Sequence, residues 1–234
     1  MDFASTVALE NGCMPIANAV WSGAVVLSPG GDSITSVEGT WKVPSVPATS
    51  DNQNGEWSPV SCWIGIDGYR DSTDVLQAGC DVHVPTLGTL KVILWYEWAP
   101  NSSVTITDIT ASVGDEINVT ISANPGMQAG TVVFRNLATG QVSPAYSVPA
   151  PAATTLMGNC AEWIVEALER TPNVPQLARF TTVEFANCRA GTSRGVALQP
   201  GSGEPMYIVD INNPSITIAQ GDIVDPTTVR ITYV

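Results

Sequence analysis

The sequence is short of cations, of histidine and of long apolar runs. Its 234 residues hold 9 Lys and Arg against 22 Asp and Glu, a formal charge of −13. Nucleic acids and anionic membrane surfaces reward Lys and Arg, so neither is expected as a partner. The acid surplus fits plain solubility, and it equally fits a low-pH setting where carboxylates are protonated and cease to repel. No stretch is apolar for long enough to cross a bilayer as a helix. The single histidine, His83, sits between Val82 and Val84 ahead of Pro85. Any Ser–His or Cys–His mechanism would have to run through it, and a hydrogen-bonded structural role suits that setting better. The five cysteines (Cys13, Cys62, Cys80, Cys160 and Cys188) form no CxxC pair. With one imidazole they make no zinc site of the usual ligand types, so neither metal nor other cofactor is expected. They allow at most two internal bridges, and the pairing is not legible in the sequence. Met1-Asp2-Phe3-Ala4 lacks the basic start and apolar core of a secretory leader. The chain as read is therefore either cytosolic or a mature form. Sequons at Asn101 and Asn118 are of a kind that arises by chance at this length.

What the chain has is Gly and Pro spread throughout, punctuating short runs rich in Val, Ile, Thr and Trp. Many short strands, and hence an all-β sandwich or barrel, follow from that pattern. Val37, Gly39, Trp41 and Val43 alternate with Glu38, Thr40 and Lys42; Ile117, Val119 and Ile121 alternate with Asn118, Thr120 and Ser122. The closing run Val229–Val234 behaves alike. No internal repeat or composition break marks a second domain, and the stretches Pro44–Pro59 and Ser143–Pro151 read as loops. The run Asn159–Leu168 is ambiguous. Ile164, Ala167 and Leu168 fall at helical spacing, and propensity leans that way. A strand would instead put Glu162, Ile164 and Glu166 on one face.

Between Ser61 and Pro100, three strand-like runs each carry polar groups on one side. Trp63, Gly65 and Asp67 share a face in the first, and Val75, Gln77, Gly79 and Asp81 in the second. Ile93, Trp95 and Glu97 share a face in the third. Tryptophans and acids beside glycines suit a cleft floor, because glycine lets a substrate backbone come close. Each residue also has a plainer reading: Asp67 before Gly68 as a turn residue, the tryptophans as core, Gln77 as a backbone cap.

The strings that carry this face are Trp63-Ile64-Gly65-Ile66-Asp67-Gly68, Leu76-Gln77-Ala78-Gly79, Trp95-Tyr96-Glu97-Trp98-Ala99-Pro100 and Ala161-Glu162-Trp163-Ile164-Val165-Glu166. In order and rough spacing they resemble the glutamic peptidases, or eqolisins, as do Trp21-Ser22-Gly23-Ala24 and Trp41-Lys42-Val43-Pro44. The resemblance runs from about Trp21 to the end. It implies one peptidase domain over 21–234 after an N-terminal extension (1–20). The implied fold is a concanavalin A-like, lectin-like β-sandwich of two packed antiparallel sheets, with the ambiguous run as a strand. It implies an acid-acting, secreted, monomeric endopeptidase of protein or peptide substrates. Gln77 and Glu162 match the catalytic positions, and Trp63, Asp67, Trp95 and Glu97 the supporting cleft positions. Hydrogen bonds to the charged form of Glu162 are expected to keep it partly ionised in acid. Two other readings suit the same sandwich: a glycanase using Glu97 and Glu162, which leaves Gln77 idle, and a lectin-like binding module. The cysteine positions and the 68–74 connection match nothing in the family pattern.

Overall fold

In the computed structural model the described residues are 16–47, 60–70, 74–83, 90–152, 154–170 and 174–234. Nearly all of the regular structure in them is strand. In chain order the first strands are β1 (Ile16–Asn18), β2 (Trp21–Leu27), β3 (Ile34–Lys42), β4 (Val60–Ile66), β5 (Val75–His83) and β6 (Lys91–Ala99). Next come β7 (Val104–Thr105), β8 (Glu116–Ala123), β9 (Ala129–Asn136), β10 (Gln141–Val142), β11 (Tyr146–Pro149) and β12 (Cys160–Glu166). The last are β13 (Leu168–Arg170), β14 (Val174–Gln176), β15 (Val183–Thr192), β16 (Ala197–Leu198), β17 (Glu204–Val209), β18 (Thr217–Asp225) and β19 (Thr228–Tyr233). Among the described residues there is no α-helix, and none long and apolar enough to cross a membrane.

The strands form a sandwich. A front layer runs β17–β2–β12–β4–β5–β6–β7 and a rear layer runs β19–β15–β3–β8–β9–β11. β18 pairs with both β17 and β19 and so joins the two ladders. Described pairings are antiparallel apart from β1, which lies parallel to β17.

The alternation seen in the sequence decides which side chains meet between the layers. From the front come Ile64, Ile66, Leu76, Ala78, Trp98, Ala161, Trp163 and Val165; from the rear come Val37, Trp41, Val119, Phe134, Phe185 and Ile231. Burying a large apolar side chain contributes about 1.5–3 kcal/mol, so this interface dominates the stability of the fold. Trp163 reaches across to the rear layer, where its Nε1 donates to Glu38 O at 2.9 Å. Gly39 makes room for it, since a Cβ there would stand 2.9 Å from the Trp163 ring.

The ambiguous run is β12, paired along its length with β2 on one edge and β4 on the other. Two flanking ladders and a two-sided burial outweigh its weak helical propensity. The Ser143–Pro151 stretch departs from the loop expected of it. Within it β11 pairs with β9, Val148 is buried and Tyr146 stacks on Tyr96 with centroids 5.3 Å apart. Its proline tolerates the strand because Pro149 ends it, on an edge needing no further donor. In the other expected loop, residues 44–47 have no regular structure and 48–59 lie outside the described residues.

Cys62, Cys80, Cys160 and Cys188 are buried free thiols, Cys62 and Cys80 directly opposite one another in the β4–β5 register. Cys13, with the rest of 1–15, lies outside the described residues. Asn118 is buried and donates to Glu38, Gly39 O and Thr40, which makes it no glycan acceptor.

Candidate active site

The face of the front layer that points away from the core carries its own apolar cluster. Val25, Trp63, Val75, Trp95, Cys160, Ile164 and Met206 form it, with Trp21 and Tyr69 packed against them. Strand register arranges this face in three cross-strand rows. The first reads Val25–Glu162–Gly65–Gln77–Glu97, the second Gly23–Ile164–Trp63–Gly79–Trp95, and the third Trp21–Glu166–Ser61–Asp81–Ile93. Because side chains repeat every two residues, all three rows project the same way. None contains Lys or Arg.

In the first row Gln77 Nε2 donates to Glu97 Oε2 at 2.6 Å. Its amide is thereby fixed, with one Nε2 hydrogen left over, and Gln77 Oε1 has no hydrogen-bond partner. Glu162 is fully buried; the Cys160 thiol donates to Oε1 at 3.1 Å, and Oε2 has no partner. Gly65 lies between Gln77 and Glu162. A Cβ on it would stand 3.0 Å from the Trp63 ring and 3.5 Å from Gln77 Cβ. Glycine here keeps open the gap over which amide and carboxyl face each other.

The other rows hold the tryptophans in place. Trp63 Nε1 donates to Glu166 Oε2 at 2.8 Å, and Trp21 also bonds to Glu166 while packing edge-on against Trp63, centroids 5.1 Å apart. Trp95 Nε1 donates to Asp81 Oδ1 at 2.8 Å. Trp63 is fully buried and Trp95 nearly so, which makes them a braced floor more than an open contact surface.

Asp67 departs from the face expected for it. β4 ends at Ile66, and Asp67 turns off with φ 66°, a conformation that L residues seldom adopt. Its buried carboxylate accepts the N–H groups of Met157 (2.6 Å), Gly158 (2.9 Å) and Asn159 (2.6 Å). Gly158, at φ 68°, supplies the left-handed residue that lets successive N–H groups converge on one carboxylate. Asp67 therefore clamps the segment that leads into β12 and Glu162.

Burial raises the pKa of four carboxyls on the face. It lifts Glu162 well above the ordinary range, with the Cys160 hydrogen bond opposing. It lifts Glu97 against the Gln77 bond, and Asp81 against the Trp95 bond. Glu166 is pushed up to about 7, the two indoles opposing. The expectation that hydrogen bonds hold Glu162 ionised thus meets a stronger opposing effect: one thiol does not offset complete burial. His83 ends β5 on the same side, 3.8 Å from Asp81, and burial lowers its pKa. In acid these four carboxyls are favoured in their neutral form; near pH 7 they would bring buried negative charge together.

Six site residues were expected, and five lie on these rows, Asp67 beside them. Sequence reasoning gave no role to Glu166, Trp21 or Cys160. Glu166 was visible in the alternation, four residues beyond Glu162, but its bonds to two indoles were not.

Known proteins resemble this chain over most of its length. The Peptidase A4 family model matches residues 19–233. Aspergillopepsin-2 of Aspergillus niger is 33% identical over 228 residues, spanning 92% of this chain and 77% of that protein. The crystal structure of scytalido-glutamic peptidase with a transition state analog inhibitor superposes with a TM-score of 0.77 at 27% identity, covering 92% and 98% of the two chains. SCP-B, an eqolisin in complex with the tripeptide Ala-Ile-His, gives 0.73 at 26% identity over the same shares. This chain belongs to the peptidase A4 family, the glutamic peptidases or eqolisins.

Proposed function

We propose that Gln77 and Glu162 are the catalytic pair with which this glutamic peptidase hydrolyses peptide bonds in acid. The observation that carries the reading is their placement in one cross-strand row with only Gly65 between them, each keeping an unpartnered oxygen. A water held between Gln77 Oε1 and Glu162 Oε2 attacks the scissile carbonyl. Ionised Glu162 takes its proton and returns it to the leaving amine, a role that contributes roughly 10²- to 10⁴-fold. The remaining Nε2 hydrogen of Gln77 meets the developing oxyanion, and a donor of that kind contributes about 2.7–4 kcal/mol. An amide does not titrate, so it serves unchanged at low pH. Glu97 fixes the amide and Asp67 fixes the approach to β12. Burial makes Glu162 a strong base once ionised, and the water's own hydrogen bond to Oε2 favours that ionised form.

In this reading the front face binds an extended peptide over the floor that Trp63 and Trp95 support. One sandwich, residues 21–234, carries the site and acts as a monomer. An extracellular acid setting suits a face of buried carboxyls better than a neutral cytosol does. The test is digestion of an unfolded protein between pH 2 and 7, with and without an inhibitor of aspartic peptidases. Cleavage at the acid end that resists the inhibitor is expected. Glu162→Gln and Gln77→Ala should each abolish nearly all of it with far-UV circular dichroism unchanged; full proteolysis by Glu162→Gln would sink the mechanism.

A further inference from the structure

Cys160 and Glu162 stand two residues apart on β12 and therefore project to the same face. Cys160 Sγ lies 3.1 Å from Glu162 Oε1. The backbone of Tyr69, in the turn after β4, lies close enough to the sulfur to favour its charged form slightly. Glu162 Oε1 is the acceptor toward which the thiol hydrogen points. The backbone agrees with it: Asp67 N donates to Cys160 O at 3.1 Å, and the Asp67 carboxylate holds residues 157–159 just upstream. Both side chains are fully buried. Burial, and then the Glu162 charge, push the thiol pKa far above its usual range, so sulfur keeps its proton throughout acid and neutral pH. It is a fixed donor, not a nucleophile.

We infer that Cys160 is a positioning residue for Glu162: its S–H occupies Oε1, leaves Oε2 to face the water and the scissile amide, and favours the ionised carboxylate. This rests on Glu162 acting as the general base. The surroundings of Glu162 leave few other candidates. The flanking strands present Val25 and Gly65, neither of which titrates. Beyond Gly65 lie Gln77 and then Glu97. Asp67 is the nearby charge, and as an anion it disfavours ionisation of Glu162. Cys160 is the group that favours it.

The experiment compares kcat and KM across pH 2–7 for the wild type, Cys160→Ala, Cys160→Ser and Glu162→Gln in the full chain, with a peptide substrate. Loss of the donor in Cys160→Ala should move the acid limb of kcat/KM upward by about 0.5–1 pH unit. It should lower kcat several-fold with little change in KM. The Cys160→Ser hydroxyl, a stronger donor, should lower that limb below the wild-type value. The infrared carboxyl band that disappears in Glu162→Gln should titrate with the same shifts. A folded Cys160→Ala protein with an unmoved acid limb overturns the inference. If Cys160→Ala does not fold, Cys160→Ser decides alone, and a carboxyl band no lower in its titration overturns it. Glu162→Gln with full activity removes the catalytic pair and this inference together. An inactive Glu162→Gln beside pH-invariant Cys160 variants removes only this inference.

Discussion

The outward faces of the two layers answer the same problem in opposite ways. On the rear layer carboxylates meet arginines: Glu38 lies 2.8 Å from Arg189 and Glu184 lies 2.6 Å from Arg230. On the front layer the buried Glu162, Glu97, Asp81 and Glu166 meet a thiol, an amide and indoles, and only Glu204 at the β17 edge, among the described residues, meets an arginine, Arg70 at 3.4 Å. Neutral donors steady a carboxyl without dictating its charge, whereas a guanidinium holds it ionised. The buried carboxyls of the front face are shifted toward their neutral form.

The comparison is broken most severely at the clamp that delivers Glu162 to its row. Asp67→Ala would leave three backbone N–H groups without their acceptor and is expected to cost about 3 kcal/mol or more. Denaturant unfolding measures the loss, and activity should fall with it; a change below about 0.5 kcal/mol would mean that the clamp is dispensable.

Glu166 sharpens the comparison. Its pKa in the fold, about 7, exceeds its ordinary 4.5. Its protonated form is therefore favoured by folding, so the stabilisation is complete below the ordinary value and is lost as pH rises through about 7. The loss amounts to at most about 3 kcal/mol. Melting temperature should fall from pH 4.5 to 7.5 in the wild type and fall less in Glu166→Gln. Equal slopes would remove Glu166 as a source of alkaline lability.

The smallest effect is expected at the rear. Arg189 is 70% exposed, and its pair with Glu38 is one of the surface kind. Arg189→Ala should cost less than about 1 kcal/mol and leave the pH profile of proteolysis where it was. A shifted profile would show that the two faces are electrostatically coupled through the sandwich.

The face carrying Gln77, Asp81, Trp95 and Glu97 was legible because strand alternation is a local rule with a period of two. Asp67 broke the rule at its last step, since a strand can end anywhere that a turn finds partners. Its partners, residues 157–159, lie some ninety positions away. The strand within Ser143–Pro151 was hidden for a related reason: prolines signal loops, and only β9 alongside shows that the edge has a neighbour. The placement of Glu162 on a strand came into view through family resemblance, because propensity alone favours a helix there.

By itself the sequence determined the class of fold, the inward and outward sets of most strands, and the position of Gln77 among polar neighbours. Those follow from alternation, which each segment carries within itself. Tertiary structure alone decided that Glu162 and Gln77 share a row across Gly65, that Trp63 leans on Glu166, and that Cys160 holds Oε1. Register between strands distant in sequence is set by the fit of the whole core, and so is burial, which moves the carboxyls toward neutrality.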